Sequence, residues 1–551
     1  MYRELKNVAL AEQVEKITTS LVQTLSINGT KGEVEIADRI EAILRSYPYF
    51  QSHPDRVWTQ ALPHDPLGRK NVFARLKGGG STKRTVIFHA HLDTVGIEDY
   101  GHLQGLAHNP EQLLRFFEKW EENKEIQVQA LSGDWMFGRG AVDMKSGIAV
   151  HLANVLYFSE HREDWAGEII FMANPVEENQ HTGIMAAVDE LLRLRQEEKL
   201  EFICAINTDY ISPLFPGDRT KYIYTGAGGK LLPCFYVYGR EAHVGQTLTG
   251  LDPTLVTSEL NRLIGNNMDL TEQMEGELII PPSTLHQRDS KAFYNVQTAV
   301  TGLLYFNFMV LAASPKDVLA KLKNVALQAV ANVQHYYEEQ YRSFAETNGF
   351  PAELPSWKME VYTYQEFCAK LAKQGVNVAE VTARVVAEQP DLELRQLCFR
   401  IVDTLRQLDQ KANPCTVMFF APPYCPHNYL KGDNARDEEV LVTIKQVLKH
   451  WEHTSNEQFA VKRFFPYLSD SSYLSLHDTD EEVAALIDNF PEWEKIYPVP
   501  VAKIRELNIP AINAGVYGLD AHRWTERVYK PYSFGIVPRL IRDMSLSWLR
   551  K

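Results

Sequence analysis

The sequence predicts an α/β protein in which one domain is split by the insertion of a second, ferredoxin-like α+β domain. Three observations carry this reading. Up to residue 209, buried-type apolar strands alternate with helix patterns. From 230 to 423 the order changes to β-α-β-β-α-β, and from Arg436 the helix–strand alternation resumes.

Residues 9–25 space their apolar side chains as on an amphipathic helix, and 33–47 do so again after the Asn- and Gly-rich turn SINGTKGE (26–33). NVFARL (71–76) and TVIFHAHL (85–92) read as strands, with LKGGGSTKR between them as a hairpin-like loop. Residues 100–130 form a polar, irregular insertion with one helix at 110–122. MKSGIAVHLANVLYF (144–158) and GIMAAVDELLRLRQ (183–196) are helices, while GEIIFMANPV (167–176) and EFICAINTD (201–209) are buried strands. Helices then cover both faces of a sheet, and ligands in such sheets bind beyond the carboxyl ends of the strands.

In the inserted domain, KLLPCFYVYGREAHV (230–244) is a strand and LDPTLVTSELNRLI (251–264) a helix. VQTAVTGLLYFNFMVL (296–311) reads as two strands broken at Thr301-Gly302. A long helix over 314–344 starts with a Ser cap before Pro, and CTVMFFAPP (415–423) is a last strand. Residues 345–413 interrupt this unit with a charged, mostly helical insertion. INAGVY (512–517) and a C-terminal helix complete the first domain. The predicted boundaries are 1–213 with 426–551 for the discontinuous domain, and 214–425 for the inserted one.

Hydrophobic residues at 45% and charged residues at 23% are ordinary for a globular protein. The net charge of −14 argues against nucleic acid and anionic membranes as partners, and serves solubility. Six scattered cysteines form no CxxC pair. The N-terminus lacks a signal-type apolar core, and no apolar run approaches a membrane span of about 18–20 residues. These features predict a cytoplasmic protein.

Polar clusters sit at the predicted strand ends. His89, His91 and Asp93 share one face of their strand, because side chains alternate. A ligating imidazole needs an acceptor on its second nitrogen, which Asp93 can supply; a polar strand end is the plainer reading. Asp143, in GRGAVDMKSG (138–147), stands at the start of a helix, where an Asp is usually a cap. Glu177 and Glu178 follow a buried strand, where carboxylates are costly unless a metal or a proton neutralises them. Asp209 also closes a buried strand, and His522 follows INAGVY. None decides alone. Jointly, an imidazole, three acidic positions and a late imidazole at the ends of one sheet suit zinc, manganese or cobalt. Five ligands exceed one tetrahedral site and point to two metals sharing a carboxylate.

This series of motifs resembles the peptidase M20 family, with GRGAVDMKSG the most specific match. The resemblance implies a phosphorylase/hydrolase-like zinc-peptidase domain with a mixed sheet, interrupted by a lid or dimerisation domain. It implies a two-zinc hydrolase of amide bonds, acting on a dipeptide or N-acyl amino acid in arginine or other amino-acid catabolism. By resemblance, His91, Asp143 and Asp209 hold one metal, while Asp143, Glu178 and His522 hold the other. Asp93 orients His91, and Glu177 is the general base. His243, in GREAHVG, stabilises the oxyanion; in family dimers this histidine acts across the subunit interface. Asn295, in YNVQT, is expected at the substrate.

His89 is expected to support the ligands from behind or to be structural, and Asp470, in LSDSSYL, to be structural. The chain departs from the family in having Ala90 before His91, and Asn307 with no Arg in LLYFNFMV, where an Arg can clamp a substrate carboxylate. The competing reading is a non-catalytic relative that kept the fold to bind or regulate. A serine hydrolase is disfavoured because no GxSxG elbow is present.

Overall fold

The computed structural model describes residues 1–349, 351–352, 358–411 and 413–550. The chain divides into two compact units. The first comprises Met1–Ala227, Asn428–Leu476 and Pro500–Lys551; the second comprises Gly228–His427 and His477–Val499. The chain thus crosses into the second unit twice. The expected boundary near 213 lies at 227, and residues 477–499, expected with the outer domain, pack with the inserted one.

The first segment supplies strands β1 (Val57–Ala61), β2 (Lys70–Lys77), β3 (Arg84–His91), β4 (Glu168–Asn174), β5 (Glu201–Asn207) and β6 (Lys221–Tyr224). The second unit supplies β7 (Gly229–Leu231), β8 (Pro233–Tyr238), β9 (Ser283–Asp289), β10 (Thr301–Val310), β11 (Glu360–Thr363) and β12 (Cys415–Phe420). Back in the first unit follow β13 (Phe459–Lys462) and β14 (Ala511–Asn513).

The first unit's sheet runs β1-β2-β4-β3-β5-β14-β6-β13. It is mixed: β3 runs parallel to β4 and β5, and β2 runs antiparallel to β4. The segment between β2 and β3 is therefore no hairpin, because β4 lies between the two strands. Two apolar strands close in sequence favour that expectation; what overrides it is that Ile169, Ile170 and Phe171 of β4 are also apolar throughout and fill the slot between them. Every residue of β4, and all of β3 past Arg84, is buried, as expected for strands covered on both faces. The helix Ser146–Glu160 is buried along nearly its whole length, which is why its apolar pattern lacks a polar face.

The second unit's sheet runs β9-β10-β8-β12-β11, with β7 also paired to β10. The expected break at Thr301-Gly302 is instead the start of one ten-residue strand, β10. The helix Pro315–Asn348 begins with a capping box formed by Ser314 and Asp317. Among the described residues, the insertion over 345–413 contains three helices of its own but also β11, which joins the sheet edge in parallel with β12. Residues 350, 353–357 and 412 of that insertion lie outside the described residues. In the region 100–130, the expected single helix is two, Pro110–Phe117 and Lys124–Leu131, each capped by an Asn side chain.

Candidate functional site

The site is built where the central strands of the first sheet end. His91 closes β3 in register with Asn174 of β4, and His89 is in register with Asn207 of β5. Just beyond these ends come Asp93, the Glu177-Glu178 pair and Asp209, from three separate connections. Asp93 and Asp209 are buried, as is Glu177.

Backbone donors tie these connections together. The Asp93 carboxylate accepts hydrogen bonds from the N–H groups of Glu177 and Glu178, each at 3.1 Å, and from Asn28 Nδ2 at 2.9 Å. Val176 is held at φ 69°, a left-handed conformation unusual for a β-branched residue. Such strain costs on the order of 1–3 kcal/mol and persists only where surroundings impose it. Here Glu33 imposes it by accepting from the Val176 N–H at 3.1 Å, while the Val176 carbonyl accepts from His181 N at 2.8 Å. The bend aims Glu177 and Glu178 back over the strand ends.

Asp143 arrives from the glycine-rich turn. Gly140 lies at φ 77°, and a Cβ there would meet Thr94 and the Lys145 stem at about 3 Å, so a side chain is excluded. Glu526 holds the turn from the far end of the chain. Its Oε1 accepts from the N–H groups of Val142 (3.1 Å) and Asp143 (3.3 Å), and its Oε2 from Arg139 Nη1 (2.7 Å). Arg139 is itself buried and reaches Asp99 at 2.7 Å.

The Asp143 carboxylate then faces two ways. Oδ1 lies 2.9 Å from His91 Nε2, and Oδ2 lies 2.9 Å from His522 Nε2. His522 Nε2 is also 3.0 Å from Glu178 Oε1. His522 sits in a left-handed turn at φ 65°, next to Asp520, which is anchored by Thr525 and Arg527. Nδ1 of His91 faces the Asp93 carbonyl oxygen at 3.1 Å, closer than the Asp93 carboxylate at 3.6 Å. The backbone of residue 93 thus fixes the His91 ring more directly than its side chain does.

The electrostatics reflect crowding of acids in a dry place. Burial pushes Glu177 well above the carboxylate range, against the pull of His91 and His181. Burial likewise raises Asp209, with Asp143 adding to the effect. Asp143 is also buried, but its bonds to His522 and His91 hold it below the ordinary value. Burial lowers His522, yet its bonds to Asp143 and Glu178 outweigh it and raise the imidazole to about 11.

Three sets of donors meet here in metal-compatible groups. His91, Asp143 and Asp209 offer donor atoms within 4.8 Å of one another, as do Asp143, Glu178 and His522, and also His91, Glu177 and Glu178. All donors are oxygen or imidazole nitrogen, without thiolate. Buried carboxylates this close repel one another unless cations lie among them. The donor set therefore fits divalent metal ions, with Asp143 common to two groups.

Of the other residues singled out in the sequence, His243 and Asn295 lie in the second unit, on neighbouring loops joined by the Val244 N–H donating to the Val296 carbonyl at 2.9 Å. His243 is exposed, and its Nδ1 accepts from Gly245 N. His89 Nε2 lies 3.2 Å from Ser471 Oγ and belongs to none of the donor groups. Asp470, expected to be structural, lies with Glu177 and His181 in a further group of donor atoms. Sequence reasoning missed His181, Glu526 and Glu33. Only Glu526 carried a signal, its spacing of four from His522.

Residues 71–245 match the family model of peptidase family M28. Over 549 residues the chain is 48% identical to protein RocB of Bacillus subtilis (strain 168), covering 100% of this chain and 97% of that protein. A stretch of 173 residues is 28% identical to succinyl-diaminopimelate desuccinylase of Orientia tsutsugamushi (strain Boryong), covering 31% of this chain and 41% of that one. The structure is similar to a tripeptidase from Staphylococcus aureus at a TM-score of 0.50 and 12% identity, covering 98% of both chains. It is similar to an M20 family metallo-carboxypeptidase from Sulfolobus solfataricus at 0.50 and 11%, covering 97% of this chain and 99% of that chain. At such identities these likenesses speak for the fold. The M20 resemblance is thus met by the fold, while the family model that matches is that of M28. The site thus gathers buried acids and imidazoles in metal-compatible groups on a fold similar to that of these peptidases.

Proposed function

The chain belongs to the RocB family, and on that premise we propose that it is an M20-type, two-zinc hydrolase of a small amino-acid-derived amide. One observation carries the two-cation reading: each oxygen of the Asp143 carboxylate faces a different imidazole at 2.9 Å, His91 on one side and His522 on the other. His91, Asp143 and Asp209 would hold one cation, and Asp143, Glu178 and His522 would hold the other, with Asp143 common to both groups. Zinc suits these donors, with manganese or cobalt as substitutes.

When bound, the cations supply Lewis-acid polarisation of the amide and an acidified water. Glu177, in reach of His91 and Glu178 but outside both half-sites, would take a proton from the attacking water and hand it to the leaving amine. Asp93 fixes His91 through its carbonyl and steadies the Glu177-Glu178 turn through its carboxylate. His243 stabilises the oxyanion, a contribution of about 3–4 kcal/mol for a well-placed donor. Asn295 contacts substrate.

The scissile bond is that of an N-acyl amino acid or a dipeptide. The relative named as a desuccinylase supports the N-acyl class. We place the activity in arginine or other amino-acid catabolism, in the cytoplasm; the six cysteines, all free, suit a reducing compartment. A homodimer through the inserted unit is part of this reading, supported by exposed Leu278, Ile280 and Leu285 around the edge strand β9. The test joins metal analysis to turnover. Purified protein should carry two zinc ions per chain and hydrolyse members of a panel of N-acyl amino acids and dipeptides, arginine derivatives included. Glu177→Ala should keep both ions and lose turnover by about 10²–10⁴-fold. Turnover that survives chelation, or full activity in Glu177→Ala, would overturn the mechanism.

A further inference from the structure

The acids of this floor are unequally provided for. Asp143, Glu178 and Asp209 belong to the two proposed half-sites, and Asp93 is held by two backbone N–H groups. Glu177 and Asp470 are left. They meet His181, and the three residues offer donor atoms within 4.8 Å of one another. All are buried, at 8%, 3% and 1% exposure for Glu177, Asp470 and His181. They come from two distant segments: the bend after β4, and the turn Asp470–Leu474 that follows β13.

Two further observations point to a ligand. His181 Nδ1 and Asp470 Oδ1 approach to 3.0 Å, the same imidazole–carboxylate spacing that Asp143 makes with His91 and His522 at 2.9 Å. The second oxygen of Asp470, Oδ2, is buried with no hydrogen-bond partner. A buried carboxylate oxygen without a donor is costly, and a cation removes that cost. Zinc takes imidazole nitrogen and carboxylate oxygen at about 2.0–2.2 Å, and one imidazole with two carboxylates is a complete three-residue set for it.

We propose that Glu177, His181 and Asp470 form a third site for a divalent cation of the zinc type, and that filling it arrests turnover by engaging the Glu177 carboxylate. Entry of the cation displaces the proton shared by His181 and Asp470 to solvent. The arrest rests on the proposed role of Glu177 as general base; the binding does not. The consequence is a built-in response to metal supply, in which two equivalents activate and a third inhibits.

The full-length protein, stripped and titrated with Zn²⁺ alone in equilibrium dialysis, should bind three ions per chain. His181→Ala and Asp470→Asn should each bind two. Zn²⁺ beyond two equivalents should slow the wild type by about 100-fold or more, the share of a general base. The same excess should leave the rate of each variant at its own two-ion value. A wild type that stops at two ions sinks the third site and leaves the proposed function standing, whereas a wild type that binds fewer than two sinks both. A third ion retained in both variants would also overturn the assignment.

Discussion

The two histidines that face Asp143 sit in very different settings. His91 ends a strand in the middle of the sheet, is 3% exposed, and has its second nitrogen held by the Asp93 carbonyl. His522 stands on a left-handed turn in the last segment, with 47% of its side chain exposed. Both lie 2.9 Å from the shared carboxylate. One half of the centre is thus built into the sheet, and the other is brought to it by a loop. Distance alone hides this difference; burial and backbone setting reveal it. The buried half should hold its metal through changes that empty the open half.

Four substitutions break or sharpen that contrast. Asp143→Ala has the largest expected effect, since it removes the group common to both halves. Metal analysis should find both ions lost, and turnover should fall by about four orders of magnitude or more. An ion retained in the His91 half would show that Asp209 and His91 suffice there. Next come the histidines themselves. His91→Ala should lose its ion, and added imidazole should not restore it, because the cavity is closed. His522→Ala should lose the other ion but recover part of its activity in millimolar imidazole, because that position opens to solvent. Equal rescue of both variants would erase the contrast. The smallest effect is expected from Glu526→Gln, which weakens the support under the Val142 and Asp143 N–H groups without touching a ligand. Metal affinity should drop by about 10–100-fold, the usual weight of an outer partner, with the dissociation constant as the readout.

The proposed ligands were easier to read from the sequence than the residues that support them. His91, Asp143, Glu177, Glu178 and Asp209 each follow an apolar run long enough to be a buried strand or precede a helix, and acids in such places are expensive enough to notice. The split domain was legible from the change in element order at 230 and its return near 436. Strand order was not: nothing local says that β4 inserts between β2 and β3, since that depends on which apolar faces meet after the helix Ser146–Glu160 packs. His181, Asp470 and Glu33 were illegible for a related reason. His181 and Asp470 sit at element starts after turns and Glu33 in the first turn of the helix Gly32–Arg45, where polar residues are unremarkable, and each becomes costly only once tertiary packing has buried it. The second crossing at 477–499 escaped notice because its helical patterns resemble those on either side.

The short strand β14 has a consequence for how the protein comes into being. It is the sole link in the first sheet between the five-stranded portion ending at β5 and the pair β6-β13. A ribosome must polymerise the whole inserted unit and more before those three residues emerge. Until then the growing chain carries two sheet fragments with open edges, each able to pair with a neighbour's strand. Joining of the two sheet fragments and delivery of His522 come from the same final stretch, so the proposed set of ligands cannot be complete before the fragments are joined.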